Sequence, residues 1–99
     1  MPENYNDLVL INNTGAHQFE WHVNDQLVRM GYTIKDGVYH LMHTEVPKAL
    51  EGKGIASAFV ESVLKWLEKN NFKMKAFCPF VVAYLKRHPE WNRLLSTGY

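Results

Sequence analysis

This chain of 99 residues is short of most features that would give its role away at once. It has one cysteine, Cys78, so no disulfide can close within it and a reducing, cytoplasmic setting is expected. It has almost no net charge, +1 from 11 basic and 10 acidic residues, and no block of one sign. Bulk electrostatics therefore offers no argument for a nucleic acid or a membrane surface as partner. The longest nearly apolar run, residues 76–85, contains Pro79 and is about half of the roughly 20 residues that a membrane span requires. The opening MPENYNDLVL lacks the basic start and apolar stretch of a secretory signal. His17, His22, His40 and His43 have no second cluster at ligand spacing, and one cysteine makes no zinc motif, so no metal is expected.

What is present suffices for one core. Apolar residues make up 46% of the chain and aromatics 13%, which supports a single domain over residues 1–99, expected to be a monomer, with the polar residues 1–7 frayed. The run Leu8–Ile11 reads as a short strand stopped by the turn cluster Asn12-Asn13-Thr14-Gly15. His17–Val23 alternates, with Phe19, Trp21 and Val23 on one face and Gln18, Glu20 and His22 on the other. Gln26–Lys35 and Val38–Val46 are two further strands, joined by the hairpin signal Asp36-Gly37, and Pro47 stops the second. Ile55, Phe59, Val60, Val63, Trp66 and Leu67 recur at helical spacing as far as Asn70-Asn71. Phe72–Phe77 alternates again as a fifth strand. A second short helix, FVVAYLKRH, ends at Pro89, and Trp91, Leu94 and Leu95 of the tail can dock. A right-handed crossover through the long helix sets strand five beside strand four.

The stretch "LEGKGIASAFVESVLKWLEK", Leu50–Lys69, places Gly52 and Gly54 where that helix begins. A helix start presents unpaired N–H groups and a partial positive charge, and glycines let an anion approach them. Gly52, Lys53, Gly54, Ile55, Ala56 and Ser57 are thus a candidate phosphate turn, or simply a tight strand-to-helix connection. The pattern is neither a P-loop nor G-x-G-x-x-G.

Together, "HTEVPKALEGKGIASAFV" and "CPFVVAYLKRHPEW" resemble the GNAT acetyltransferase superfamily, and its miniature members above all, over roughly residues 8–91. Gly54 and Ala56 match the last two small positions of the family's Gln/Arg-x-x-Gly-x-Gly/Ala fingerprint, while Glu51 stands where Gln or Arg is usual. The resemblance implies an α+β fold (α/β three-layer, GNAT-like): an antiparallel meander of four strands, a central helix, a fifth strand splayed from strand four, and a short second helix. The helices that the larger relatives insert between strands one and two have no counterpart here, since only Asn12–Ala16 separate those strands. The acceptor face would then be open.

The resemblance further implies acetyl-CoA (coenzyme A) as ligand, with its phosphates on the glycine turn and its pantetheine arm against Glu45 and Val46 in the wedge between strands four and five. It makes Tyr84 the candidate acid for the leaving sulfur, within a partial Tyr-x-Lys match, although an amphipathic core tyrosine is the alternative. Lys86, Arg87 and His88 would reach the nucleotide phosphates, or form a solvated helix end. Cys78 would lie beside the thioester, as acetyl acceptor, CoA contact or small buried hydrophobe. His43 and Glu45, two apart on one face of strand four, are candidate bases, or ordinary strand side chains. The expected activity is acetyl-CoA-dependent N-acetyl transfer to an amine that the chain does not identify: a lysine side chain, a protein N-terminus or a small amine. The alternative is a CoA-binding module without efficient turnover.

Overall fold

The computed structural model describes residues 8–52 and 54–96. Five strands form one sheet in sequential order: β1 (Ile11–Asn13), β2 (Gln18–Val23), β3 (Gln26–Lys35), β4 (Val38–Glu45) and β5 (Lys73–Ala76). Strands β1 to β4 are antiparallel neighbours, and β5 joins β4 in parallel after crossing over through the helix α1 (Ile55–Lys69). A second helix, α2 (Pro79–Arg87), and a 3-10 segment, Pro89–Leu94, complete the described chain. The expected α+β meander, crossover and short second helix are all present.

Local chemistry accounts for the joints. Asn24-Asp25 and Asp36-Gly37 connect their hairpins with both central residues at positive φ, the condition for a two-residue turn whose twist suits paired strands. Asn71 ends α1 in the left-handed region, and the Asn70 side-chain amide donates to the Trp66 carbonyl at 2.8 Å. Pro79 occupies the first turn of α2, where its missing N–H leaves no hydrogen bond unmade.

The core lies between the sheet and the helices. Phe19, Trp21, Val23, Val28, Met30, Tyr32, Tyr39 and Leu41 face Ile55, Phe59, Val60, Val63, Leu64 and Leu67, and all are buried. Trp21 meets Phe59 edge-on at 5.3 Å, and Phe19 meets Trp66 at 5.2 Å. Trp91 and Leu94 dock as the sequence suggests. The first strand differs from expectation: it begins at Ile11 and runs through Asn12 and Asn13, which the turn cluster assigns to a loop. Both asparagines work across the sheet instead. Asn12 Oδ1 accepts from the Tyr32 hydroxyl at 2.6 Å, and Asn13 Nδ2 donates to Glu20 at 2.9 Å.

Candidate functional site

The connection from β4 to α1 is built for close approach. A single turn of 3-10 helix, Lys48–Leu50, buries Leu50 and delivers the chain to Glu51 and Gly52. Gly52 (φ 79°) and Gly54 (φ 73°) both adopt left-handed conformations, and a Cβ on either would meet nothing within 4 Å. Gly54 is the N-cap of α1 and carries no capping side chain, so the first-turn amides are left to an outside acceptor. They open on a cavity of about 260 Å³ lined by Val46, Glu51, Ala56, Ser57 and Phe80 together with the glycines. Arg87 Nη2 donates to Ser57 Oγ at 3.3 Å, which brings one cation from α2 to the rim. The cavity volume and the uncapped amides leave room for an anionic group such as a pyrophosphate, with the Glu51 carboxylate as the opposing feature. Lys53 lies outside the described residues.

The wedge is set by β4 outrunning β5. Their parallel register ends at Leu41 and Ala76. The next two amides, Phe77 N and Cys78 N, both donate to the Leu41 carbonyl, at 2.9 and 3.0 Å, and the chain turns away into α2. From Met42 to Glu45, β4 continues alongside β3 alone, among the described residues. Cys78 closes the narrow end: it is fully buried, with Sγ 3.0 Å from Thr44 Oγ1.

Tyr84 is buried between the helices, donating its hydroxyl to Glu61 Oε2 of α1 at 3.2 Å and stacking on the His88 ring at 4.4 Å. Burial first, and the negative charge of Glu61 second, push its hydroxyl up to about 12, so it holds its proton at neutral pH. Tyr84 follows Cys78 by six residues, roughly 9 Å along the helix axis at 1.5 Å per residue. His88 also lies 3.7 Å from Glu90. Lys86 is not brought to the glycine turn: it lines a separate apolar groove of about 530 Å³ with Phe77, Val82 and Leu85.

His43 and Glu45 occupy the face of the sheet away from α1, opposite Gly31 and Arg29 of β3. Thr44, between them, points to the other face, so the candidate bases and the pair Thr44–Cys78 stand on opposite sides of β4. Glu45 is clasped by Arg29 through two contacts, Nη2–Oε1 at 2.6 Å and Nε–Oε2 at 3.2 Å. Arg29 Nη1 also donates to Gln18 Oε1 at 3.2 Å, and the Gln18 amide donates to Glu20. Glu20 is buried, although it lies on the polar stripe of β2. Hydrogen bonds from Gln18 and then Asn13 hold its carboxyl below the usual range. His43 is exposed and makes no hydrogen bond to another described residue. Beside it lies a hollow of about 230 Å³ lined by His17, Gln18, Arg29, Gly31 and Met42 among others.

Sequence reasoning missed Arg29, Thr44 and Glu61, which matter through cross-strand or inter-helix partners. It also missed Gly31, whose only signal was a glycine inside an otherwise regular strand. Among the described residues, no group of three His, Cys, Asp or Glu side chains could hold a metal ion, and no helix is long and apolar enough to cross a membrane.

Three comparisons bear on this arrangement. The family model described as GCN5-related N-acetyl-transferase matches residues 18–94. Among individual proteins, the chain is 33% identical over 66 residues to Protein NATD1 of Xenopus tropicalis and 29% identical over 66 residues to Protein NATD1 of Homo sapiens. These matches take in 67% of this chain and 61% and 58% of the respective relatives, so the chain spans less than two thirds of their length. The solution structure of a GCN5-like protein from Staphylococcus aureus superposes with a TM-score of 0.66 at 21% identity, covering 94% of this chain and 92% of the other. That last likeness carries the fold, at a sequence distance where side chains need not agree. The family match extends from β2 through α2 to the docked tail, and with it the chain belongs to the GCN5-related N-acetyltransferase family.

Proposed function

We propose that the protein is an acetyl-CoA-dependent N-acetyltransferase, active in the cytoplasm on an amine presented at the sheet face away from α1. The observation that carries this reading is the coincidence, at one end of β4, of a strand that loses its partner at Leu41 and a helix start that offers uncapped amides behind two open glycines. A pantetheine arm needs the first and a pyrophosphate the second. Acetyl-CoA, when bound, supplies an activated thioester; the rest falls to the chain.

Gly52, Gly54, Ile55 and Ala56 hold the phosphates through backbone N–H groups, with Arg87 adding charge at the rim. The backbone of Met42–Glu45 and Val46 lines the arm, whatever side chains those positions carry. The ring of His43, without a competing hydrogen bond among the described residues, takes the proton from the incoming amine. Glu45 is the weaker base candidate, because Arg29 already engages both of its oxygens. Tyr84 Oη, whose proton is directed to Glu61 Oε2 at 3.2 Å, becomes the donor to the departing sulfur once it turns from that carboxylate. Cys78 is fully buried and bonded to Thr44, which favours direct transfer over an acetylated cysteine.

Titration of the protein with acetyl-CoA, monitored by amide NMR, tests this reading. We expect saturable micromolar binding with shifts at Gly52–Ser57 and Met42–Val46, and turnover on a panel of amines. Absence of binding at millimolar ligand would overturn it. A CoA-binding module without turnover is favoured by one observation, the Glu51 carboxylate in the phosphate cavity, and binding without transfer to any amine would select it. A stable gain of one acetyl group on Cys78, read by intact mass, would replace direct transfer with a covalent route.

A further inference from the structure

A glycine inside a strand gives up side-chain packing and leaves the unfolded chain more freedom, so it calls for a reason in the folded state. Gly31 sits within β3 and pairs directly with His43 of β4. Its backbone is not in the left-handed region, so its conformation alone would admit any residue. What stands in the way of a side chain is the imidazole, which would have to shift to admit one. A Cβ built on Gly31 would stand 2.9 Å from His43 Cε1, 3.2 Å from Nε2 and 3.5 Å from Nδ1. The His43 ring therefore lies down across β3, in the space where any other residue would place its side chain.

Two further features fit this placement. The register slips by one residue between Gly31 and Tyr32, so that Met42 is an extra residue on β4 immediately before His43, and such a bulge re-aims the side chain that follows it. The ring also borders the hollow of about 230 Å³ on this face, which is open to solvent and large enough for an amine-bearing chain end. The charged or titratable groups that share the hollow or pair beside the ring are His17, Arg29, Tyr32 and Glu45, the last bound to Arg29.

We propose that Gly31 is a positioning residue: its missing side chain lets the His43 imidazole lie flat over β3 and holds a ring nitrogen toward the acceptor hollow. The inference rests on the acetyltransferase reading. In the step it serves, one N–H bond of the protonated amine breaks and its proton passes to the ring. The freed lone pair forms the N–C bond as the C–S bond breaks, a second N–H bond of that nitrogen breaks and its proton goes to the departing thiolate, and the ring returns the first proton to water.

The variants Gly31→Ala, His43→Ala and the double substitution test it, in the full chain. In the wild type, NMR should show a cross-peak between His43 Hε1 and Gly31 Hα. In Gly31→Ala the ring should move away from residue 31, so that this cross-peak vanishes, and kcat should fall by at least roughly tenfold, part of the 10²–10⁴ that a positioned base contributes. Acetyl-CoA affinity should stay within about twofold, because the phosphate cradle lies elsewhere. The limb of the pH–rate profile that His43→Ala abolishes should move in Gly31→Ala. The double variant should fold and match His43→Ala in rate, since the alanine has then no ring to displace. A Gly31→Ala enzyme as active as wild type, or one that loses as much again in the His43→Ala background, would overturn the positioning role while leaving the proposed function standing. A wild type with the cross-peak but no transfer to any amine would overturn the acetyltransferase reading and the base role together.

Discussion

The glycine turn and the sheet face away from α1 are made by different means. The turn works through backbone: uncapped amides, two glycines at positive φ and a strand that, among the described residues, is paired on one side only beyond Leu41. The face works through side chains that meet across four strands, from Asn13 and Glu20 through Gln18 to Arg29 and Glu45, with His43 laid over Gly31. Backbone devices leave a local sequence mark, because only glycine and proline serve them well. Cross-strand devices leave almost none, since they depend on register. Ligand binding and acceptor chemistry should accordingly fail independently of each other.

The largest expected effect breaks the turn alone. Gly54→Val forces a β-branched residue into a left-handed conformation, at a cost of about 1–2 kcal/mol, and sets methyl groups in the cradle. Calorimetric titration should show acetyl-CoA affinity down by about 100-fold, the loss expected when several charge-assisted hydrogen bonds go together. The reciprocal variant, His43→Ala, should leave that affinity unchanged while kcat falls by about 10². If either change moved both quantities, the two regions would be one site. Glu51→Gln sharpens the contrast from the other direction. Removing a carboxylate from the phosphate cavity should tighten acetyl-CoA by about fivefold, or roughly 1 kcal/mol at surface-like screening. Isothermal titration of the two proteins in matched salt would show it.

The smallest effect concerns stability. Tyr84 ionises at about 12 when folded and near 10 when unfolded. Above about pH 10 the unfolded chain has released a proton that the folded chain retains, so stability falls with rising pH until the folded group ionises at about 12. Urea midpoints from pH 9 upward should decline in the wild type, and the decline should be shallower in Tyr84→Phe.

How much of this could be read in advance follows the same division. The alternation of Phe19, Trp21 and Val23, the spacing of Phe59, Val63 and Leu67, and Asp36-Gly37 placed three elements nearly to the residue, because apolar periodicity reports directly on burial. Gly52 and Gly54 pointed to the turn. Asn12 and Asn13 misled, since turn propensity is a local measure and their hydrogen bonds are with Tyr32 and Glu20, far along the chain. Arg87 and Lys86 are adjacent in sequence yet serve different surfaces, because one residue is about 100° of helix. Glu20 shows the limit most clearly. An alternating pattern assigns it to solvent, but Gln18, Asn13 and His22 together surround it.

The two outer edges of the sheet are both blunted. β1 has three residues, and β5 carries Lys73 and Lys75 and is partly covered by the tail, where Ser96 N donates to the Met74 carbonyl at 2.9 Å and Lys73 Nζ to the Arg93 carbonyl at 2.8 Å. Short strands, lysines and covering segments are what keep sheets from sticking to one another. The wedge side of β4 has no such guard among the described residues, as a groove for an extended ligand cannot have one. The stretch of backbone proposed to recruit the acetyl donor is thus also the stretch from which unwanted strand pairing between molecules would start, and a filled wedge would protect the protein from its own copies.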